Sequence, residues 1–129
     1  MQSSHEALTD KIEFTEILGR YSFKTSINNG AIDGIVNLTE LAPNGVVGRY
    51  PYIYGYYNAS ILTLTGIWST VSYPYAYPES ACVFGAFKFY FYKKNGKIGF
   101  NGTWGCGRNQ YGGLNGVDYW NGVKIENQN

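Results

Sequence analysis

The sequence predicts an all-β protein folded as an antiparallel up-and-down β-barrel of seven to eight strands, and three observations carry the prediction. From Phe14 onward β-branched and aromatic residues dominate: aromatics are 18% of 129 residues, 17 more are glycine, and long Ala, Glu or Lys runs are missing. Turn-forming clusters recur at short intervals: Asn28-Asn29-Gly30, Pro43-Asn44-Gly45, Asn58-Ala59, a proline-tyrosine stretch at 72–80, and Asn95-Gly96. Several intervening segments exceed nine residues. Long consecutive antiparallel strands must hide their edges, which favours closure over an open sheet. A two-sheet β-sandwich is the alternative.

Taken in order, residues 1–12 read as an N-terminal tail or short helix. Ser3 and Glu6 have capping-box spacing, and Ala7, Leu8, Lys11 and Ile12 offer one weak apolar face. Strands follow near 17–25, 31–41, 46–57, 60–70, 82–93, 97–106 and 117–125, the last preceded by a glycine-rich run at 105–116. No linker, repeat or low-complexity tract interrupts them, so 1–129 reads as a single barrel domain.

Two hairpins can be registered from turn chemistry. Asn95-Gly96 is a strong two-residue turn signal that sets Lys94 opposite Lys97. Phe91 then faces Phe100, Phe89 faces Gly102 and Phe87 faces Trp104, which separates an apolar face from one carrying Lys88, Tyr90, Tyr92, Asn101 and Thr103. In the second hairpin, a three-residue loop Pro43-Asn44-Gly45 pairs Ala42 with Val46 and Val36 with Tyr52, turning Tyr50, Tyr52 and Tyr54 inward. A two-residue Asn44-Gly45 turn instead slips the pairing by one and turns those tyrosines outward.

Composition excludes several function classes. A formal net charge of +1 gives no long-range attraction to nucleic acid. The apolar stretches are strand-sized, so no transmembrane segment is expected. No signal peptide is visible after Met1, while sequons at Asn37, Asn58 and Asn101 hint at secretion, so the compartment stays open. His5 is the only histidine and lies in the tail, which argues against Ser-His-Asp or Cys-His catalysis and against a zinc set. Neither a catalytic residue, a metal ligand nor a cofactor is expected. A straight extension of the Asn95-Gly96 register puts Cys82 opposite Asn109, about 10 Å from Cys106 at strand spacing, so both cysteines are expected as free, partly buried thiols.

The positive signal is aromatic. Eight of the thirteen tyrosines lie between Tyr50 and Tyr77. Tyrosine joins a large apolar ring to a hydroxyl that requires a partner, which suits surfaces that bind something half-apolar. In the first register Tyr50, Tyr52 and Tyr54 line a cavity together with Trp68. Otherwise tyrosines span the wall and place their hydroxyls at the rim. Tyr73, Tyr75 and Tyr77 alternate with Pro74, Ala76 and Pro78, expected as an extended, polyproline-like segment that guards the mouth, plugs it or stands exposed as a stacking platform. Trp120 joins one of these aromatic clusters.

Gly102-Thr103-Trp104, set in a meander of long strands, resembles the lipocalin and avidin-type barrels of the calycin group. The likeness spans roughly residues 14–125. Those families carry their glycine-x-tryptophan on the first strand, whereas here it lies on a late one. The resemblance implies a ligand in the open end ringed by aromatics, with Trp104 beside Phe87 as floor or wall.

These readings converge on non-catalytic binding of a small, partly apolar molecule in an aromatic barrel cavity. Alternatives are a cyclase- or isomerase-type barrel enzyme acting by substrate shaping and tyrosine hydrogen bonds, and a glycan- or membrane-surface module using the proline-tyrosine loop. The expected partner is therefore a small molecule. Tyrosine-rich outer faces also raise self-association into a homo-oligomer.

Overall fold

The structure, a computed structural model, describes residues 11–27, 30–49, 51–107 and 118–125. Among the described residues eight strands follow a four-residue helical turn: α1 (Phe14–Ile17), β1 (Gly19–Ile27), β2 (Gly30–Ala42), β3 (Gly45–Gly48), β4 (Tyr52–Asn58), β5 (Thr63–Ser69), β6 (Phe84–Lys94), β7 (Lys97–Trp104) and β8 (Trp120–Lys124). Each strand pairs antiparallel with the next, and β8 returns to β1 to close the barrel. The expected up-and-down barrel is present and closed, although among the described residues 30–38 of β2 pair on the β1 side only, β3 meeting β2 from Thr39 onward. A short helical turn on the N-terminal side, α1, lies at Phe14–Ile17, where strand or turn was expected; the tail or helix expected at 1–12 falls almost wholly on residues 1–10, which lie outside the described residues.

The β6–β7 register is the one that the Asn95-Gly96 turn dictates: Lys94 pairs with Lys97, Phe91 with Phe100, Phe89 with Gly102 and Phe87 with Trp104. Asn95 and Gly96 both adopt the positive φ that a two-residue hairpin turn requires, 54° and 79°.

The second hairpin differs from both expected registers. Pro43 and Asn44 form a two-residue turn, with Ala42 opposite Gly45 and a bulge that leaves Leu41 unpaired before Glu40 meets Val46. Proline fixes its own φ and Asn44 takes the left-handed region at 64°, a combination suited to a two-residue reversal. The single strand expected at 46–57 is two strands, because the chain reverses between Gly48 and Tyr52. Pro51 cannot donate to a ladder, so a continuous strand is interrupted there. Tyr52 consequently pairs with Ser69 of β5, not with Val36. Ile53 and Tyr57 face inward, while Tyr52, Tyr54 and Tyr56 fall on the outer face.

The interior is filled by aromatic rings that meet glycines across the ladder. Phe23 faces Gly34 and Gly122, Phe100 faces Gly122, and Phe89 faces Gly102. A methyl group added at Gly34 would stand 2.5 Å from Phe23 Cζ, and one at Gly122 would stand 2.5 Å from Phe100 Cε2. Each small residue thus makes room for the opposing ring. Phe89 and Phe100 stack at 3.9 Å in the middle of the barrel, both fully buried.

One end of the barrel is plugged. Ile12 and Ile17 are buried there, and two inward phenols hold the plug: Tyr57 Oη donates to Ile12 O at 2.7 Å and Tyr21 Oη donates to Ile17 O at 2.8 Å. Glu13 N–H donates to Glu16 Oε1 at 2.8 Å, Lys93 Nζ reaches Glu16 Oε2 at 2.9 Å, and Lys124 Nζ donates to Glu16 O at 2.7 Å. These contacts hold the Glu16 carboxyl below its ordinary range, chiefly through the Glu13 N–H and then Lys93. Burial raises both phenols, that of Tyr57 to about 12, with Glu16 and Glu13 adding to the Tyr57 shift.

The cysteine expectation is corrected. Cys82 and Cys106 form a disulfide, with their Cα atoms 5.0 Å apart. The estimate of a wide gap assumed straight flanks. Instead the chain curls beyond Trp104: Gly107 and Cys82 adopt φ of 63° and 55°, and Gly107 N–H donates to Phe84 O at 2.9 Å.

Candidate functional site

A cavity of about 420 Å³ opens at the end opposite α1. Its walls come from the last residues of β1, β5 and β7, the first of β2 and β8, and the segment between β5 and β6. Trp68, Trp104, Trp120, Phe23, Ile32 and Pro51 supply the apolar surface, with Cys82 of the disulfide beside them. Thr25, Ser26, Thr70 and Ser80 add hydroxyls.

Alternation places the three indoles here. Trp68 and Trp104 are the terminal inward residues of β5 and β7, and their rings meet edge to face at 5.4 Å. Trp120 opens β8 opposite Thr25, and its ring packs on Phe23 at 5.5 Å and on Phe89 at 5.1 Å, above the filled core. Trp68 Nε1 donates to Gly105 O at 2.8 Å. Trp104 and Trp120 are only 7% and 4% exposed, yet neither Nε1 has a hydrogen-bond partner among the described residues. A buried donor left in this state costs on the order of 1–3 kcal/mol.

The hydroxyls on the β1 side are engaged. Thr25 Oγ1 donates to Tyr119 O at 3.0 Å, and Ser26 Oγ donates to Asp118 Oδ1 at 2.8 Å while accepting from Tyr119 N–H at 3.0 Å. The buried Asp118 side chain therefore ties the end of β1, through the lining residue Ser26, to the chain just before β8. The described lining combines shape, aromatic surface and the Thr70 and Ser80 hydroxyls, with the two unpartnered indole nitrogens buried in its wall.

The predicted site residues separate into groups. Trp68 and Trp104 line the cavity, and Phe87 is buried below it with its ring 6.2 Å from that of Trp120. Tyr50 lies outside the described residues. The inward placement of Tyr52 and Tyr54 is corrected: Tyr52 is half-buried on the outer wall, and Tyr54 is 58% exposed there, because the reversal before Tyr52 changes which face the row occupies. Tyr73, Tyr75 and Tyr77 are exposed, and residues 74–76 form a 3₁₀ turn where an extended segment was expected. Pro74 at the first position presets the turn, which Tyr77 N–H closes onto Pro74 O at 3.0 Å. The next turn, Glu79–Ala81, contributes Ser80 and Ala81 to the rim.

Sequence reasoning missed Phe23, Thr25 and Ser26 as lining residues. Their signal lies in the closure of β8 onto β1, which no short turn encodes. A larger cleft, about 690 Å³, flanks the α1 end between Glu16, Arg20, Lys97 and Lys124. Its walls mix those charged side chains with Leu18, Ile98, Ile125 and Asn37, whereas the mouth cavity is walled by packed rings, the better-formed place for a ligand.

No protein-family model, no curated protein and no solved structure matches this chain.

Proposed function

We propose that this protein binds a small, partly apolar molecule in the mouth cavity, holding it without covalent change. The observation that carries the reading is a pocket walled by three indoles and a phenylalanine, in a barrel whose centre is filled and whose other end is plugged. Eight-stranded barrels are wide enough to hold one small ligand at a mouth. The likeness to the calycin architecture, whose ligands enter at the open end, supports the same reading. Apolar surface recovered from water would drive binding, at roughly 25 cal/mol per Å².

The test is titration with N-phenyl-1-naphthylamine, an apolar fluorophore that accepts energy from tryptophan. Saturable one-to-one binding with quenched indole emission is expected. Ala81→Phe, a substitution at the exposed rim, should block the cavity and abolish binding without lowering the melting temperature. Unsaturable binding, or binding indifferent to Ala81→Phe, rules the reading out.

One observation favours a second reading. Tyr73 and Tyr75 are 69% and 82% exposed and meet edge to face at 5.1 Å, an aromatic pair open to a glycan or a membrane surface. Glycan-array or liposome binding that is lost in Tyr75→Ala would support it. Binding unchanged by that substitution would remove it.

A further inference from the structure

We infer that the molecule held at the mouth carries a hydrogen-bond-accepting oxygen, most simply the carbonyl of a ring ketone, which takes the unpartnered indole N–H groups of Trp104 and Trp120. The inference rests on the mouth cavity being a binding site and specifies what that site selects. An indole nitrogen is a donor only, so an acceptor is the one thing that satisfies it. Of the three indoles in the wall, Trp68 already has Gly105 O, whereas Trp104 and Trp120 have no partner among the described residues. Both are more than nine-tenths buried. Apolar filling alone does not call for tryptophan here, because the neighbouring inward positions on β1, β6 and β7 are phenylalanines: Phe23, Phe87, Phe89 and Phe100. The hydroxyls of Thr25, Ser26 and Thr70 already donate to Tyr119 O, Asp118 Oδ1 and Val83 O. The two indoles are therefore the buried donors left for a ligand, the Ser80 hydroxyl standing at the exposed rim. A carbonyl oxygen has two lone pairs and suits a neutral N–H in a low-dielectric wall, where such a bond is strengthened.

The test compares 1-tetralone with tetralin, two bicyclic molecules of similar shape that differ by one oxygen. Binding is followed by calorimetry and by the three indole ¹H–¹⁵N resonances of the labelled protein. Tetralone is expected to bind on the order of tenfold more tightly than tetralin and to move the Trp104 and Trp120 Nε1 signals downfield, leaving that of Trp68 in place. In Trp104→Phe and Trp120→Phe, which keep a ring and remove one donor each, the preference for the ketone should shrink while tetralin binding persists. Should either variant fail to fold, the resonance shifts of the unaltered protein decide. Equal affinities with unmoved Nε1 signals overturn the inference and leave the cavity reading standing. If neither molecule binds, the cavity reading fails, and this inference with it.

Discussion

Replacing Tyr57 with phenylalanine tests how the closed end of the barrel is held. The ring stays, along with its edge-to-face contact with Phe91 at 5.9 Å, and only the hydroxyl is lost. That hydroxyl donates to Ile12 O at 2.7 Å in a buried bond, so Tyr57→Phe leaves a buried carbonyl without its donor. The cost should be about 1–2 kcal/mol, or roughly 3–6 °C in melting temperature for a domain of this size. The substitution should also alter the alkaline limb. Unfolded phenols titrate near pH 10, whereas burial pushes the Tyr57 phenol up to about 12 and raises that of Tyr21 as well. Folding therefore favours the protonated forms. Their stabilising effect is complete below about pH 10 and is lost as the pH rises through 12. Urea titrations followed by tryptophan fluorescence at neutral pH and at several points above pH 9 would measure both effects. Tyr57→Phe should be less stable at neutrality and lose less on alkalinisation than the unaltered protein. An unchanged alkaline limb, or a neutral-pH loss too small to measure, would mean that this phenol is not buried against Ile12.

Other consequences are simpler to check. Alkylation in denaturant without reductant should find no free thiol, and a Cys82→Ser/Cys106→Ser protein should lose about 3 kcal/mol for a loop of 24 residues; two reactive thiols would contradict the bridge. Gly34→Ala should cost about 1–3 kcal/mol by driving a methyl into the Phe23 ring, whereas Gly30→Ala meets only Ile27 O at 3.6 Å and should be near neutral. Equal melting temperatures for the two variants would argue against the close ring–glycine contact. Because Tyr54 stands on the outer wall, Tyr54→Ala should leave fluorophore binding at the mouth unchanged; a lost site would return that tyrosine to the cavity.

Legibility in the sequence followed how local the determining interaction was. Asn95 and Gly96 specify their own turn, and the residues beside them alternate between Phe on one face and Lys or Tyr on the other, so the β6–β7 pairing could be counted outward from two residues. Residues 50–57 defeated the same procedure. Tyrosine occupies both phases of that segment, with Tyr54 and Tyr56 outside and Tyr57 inside, so polarity does not distinguish the faces and the reversal before Tyr52 left no periodic trace. The α1 turn is too short for a helical period, and its anchors, Tyr21 and Tyr57, lie on other elements. Trp68 and Trp104 were legible as inward aromatics. Their meeting with Trp120 and Phe23 depends on β8 closing onto β1, a contact roughly 95 residues apart in sequence that only the folded barrel creates.

The most direct test of the account is a crystal structure of the protein grown with 1-tetralone. Density for the ketone between Trp68, Trp104 and Trp120, with its oxygen in hydrogen-bond reach of an indole nitrogen, is the predicted result. Ketone density confined to the outer tyrosines, with side chains filling the mouth, would contradict it.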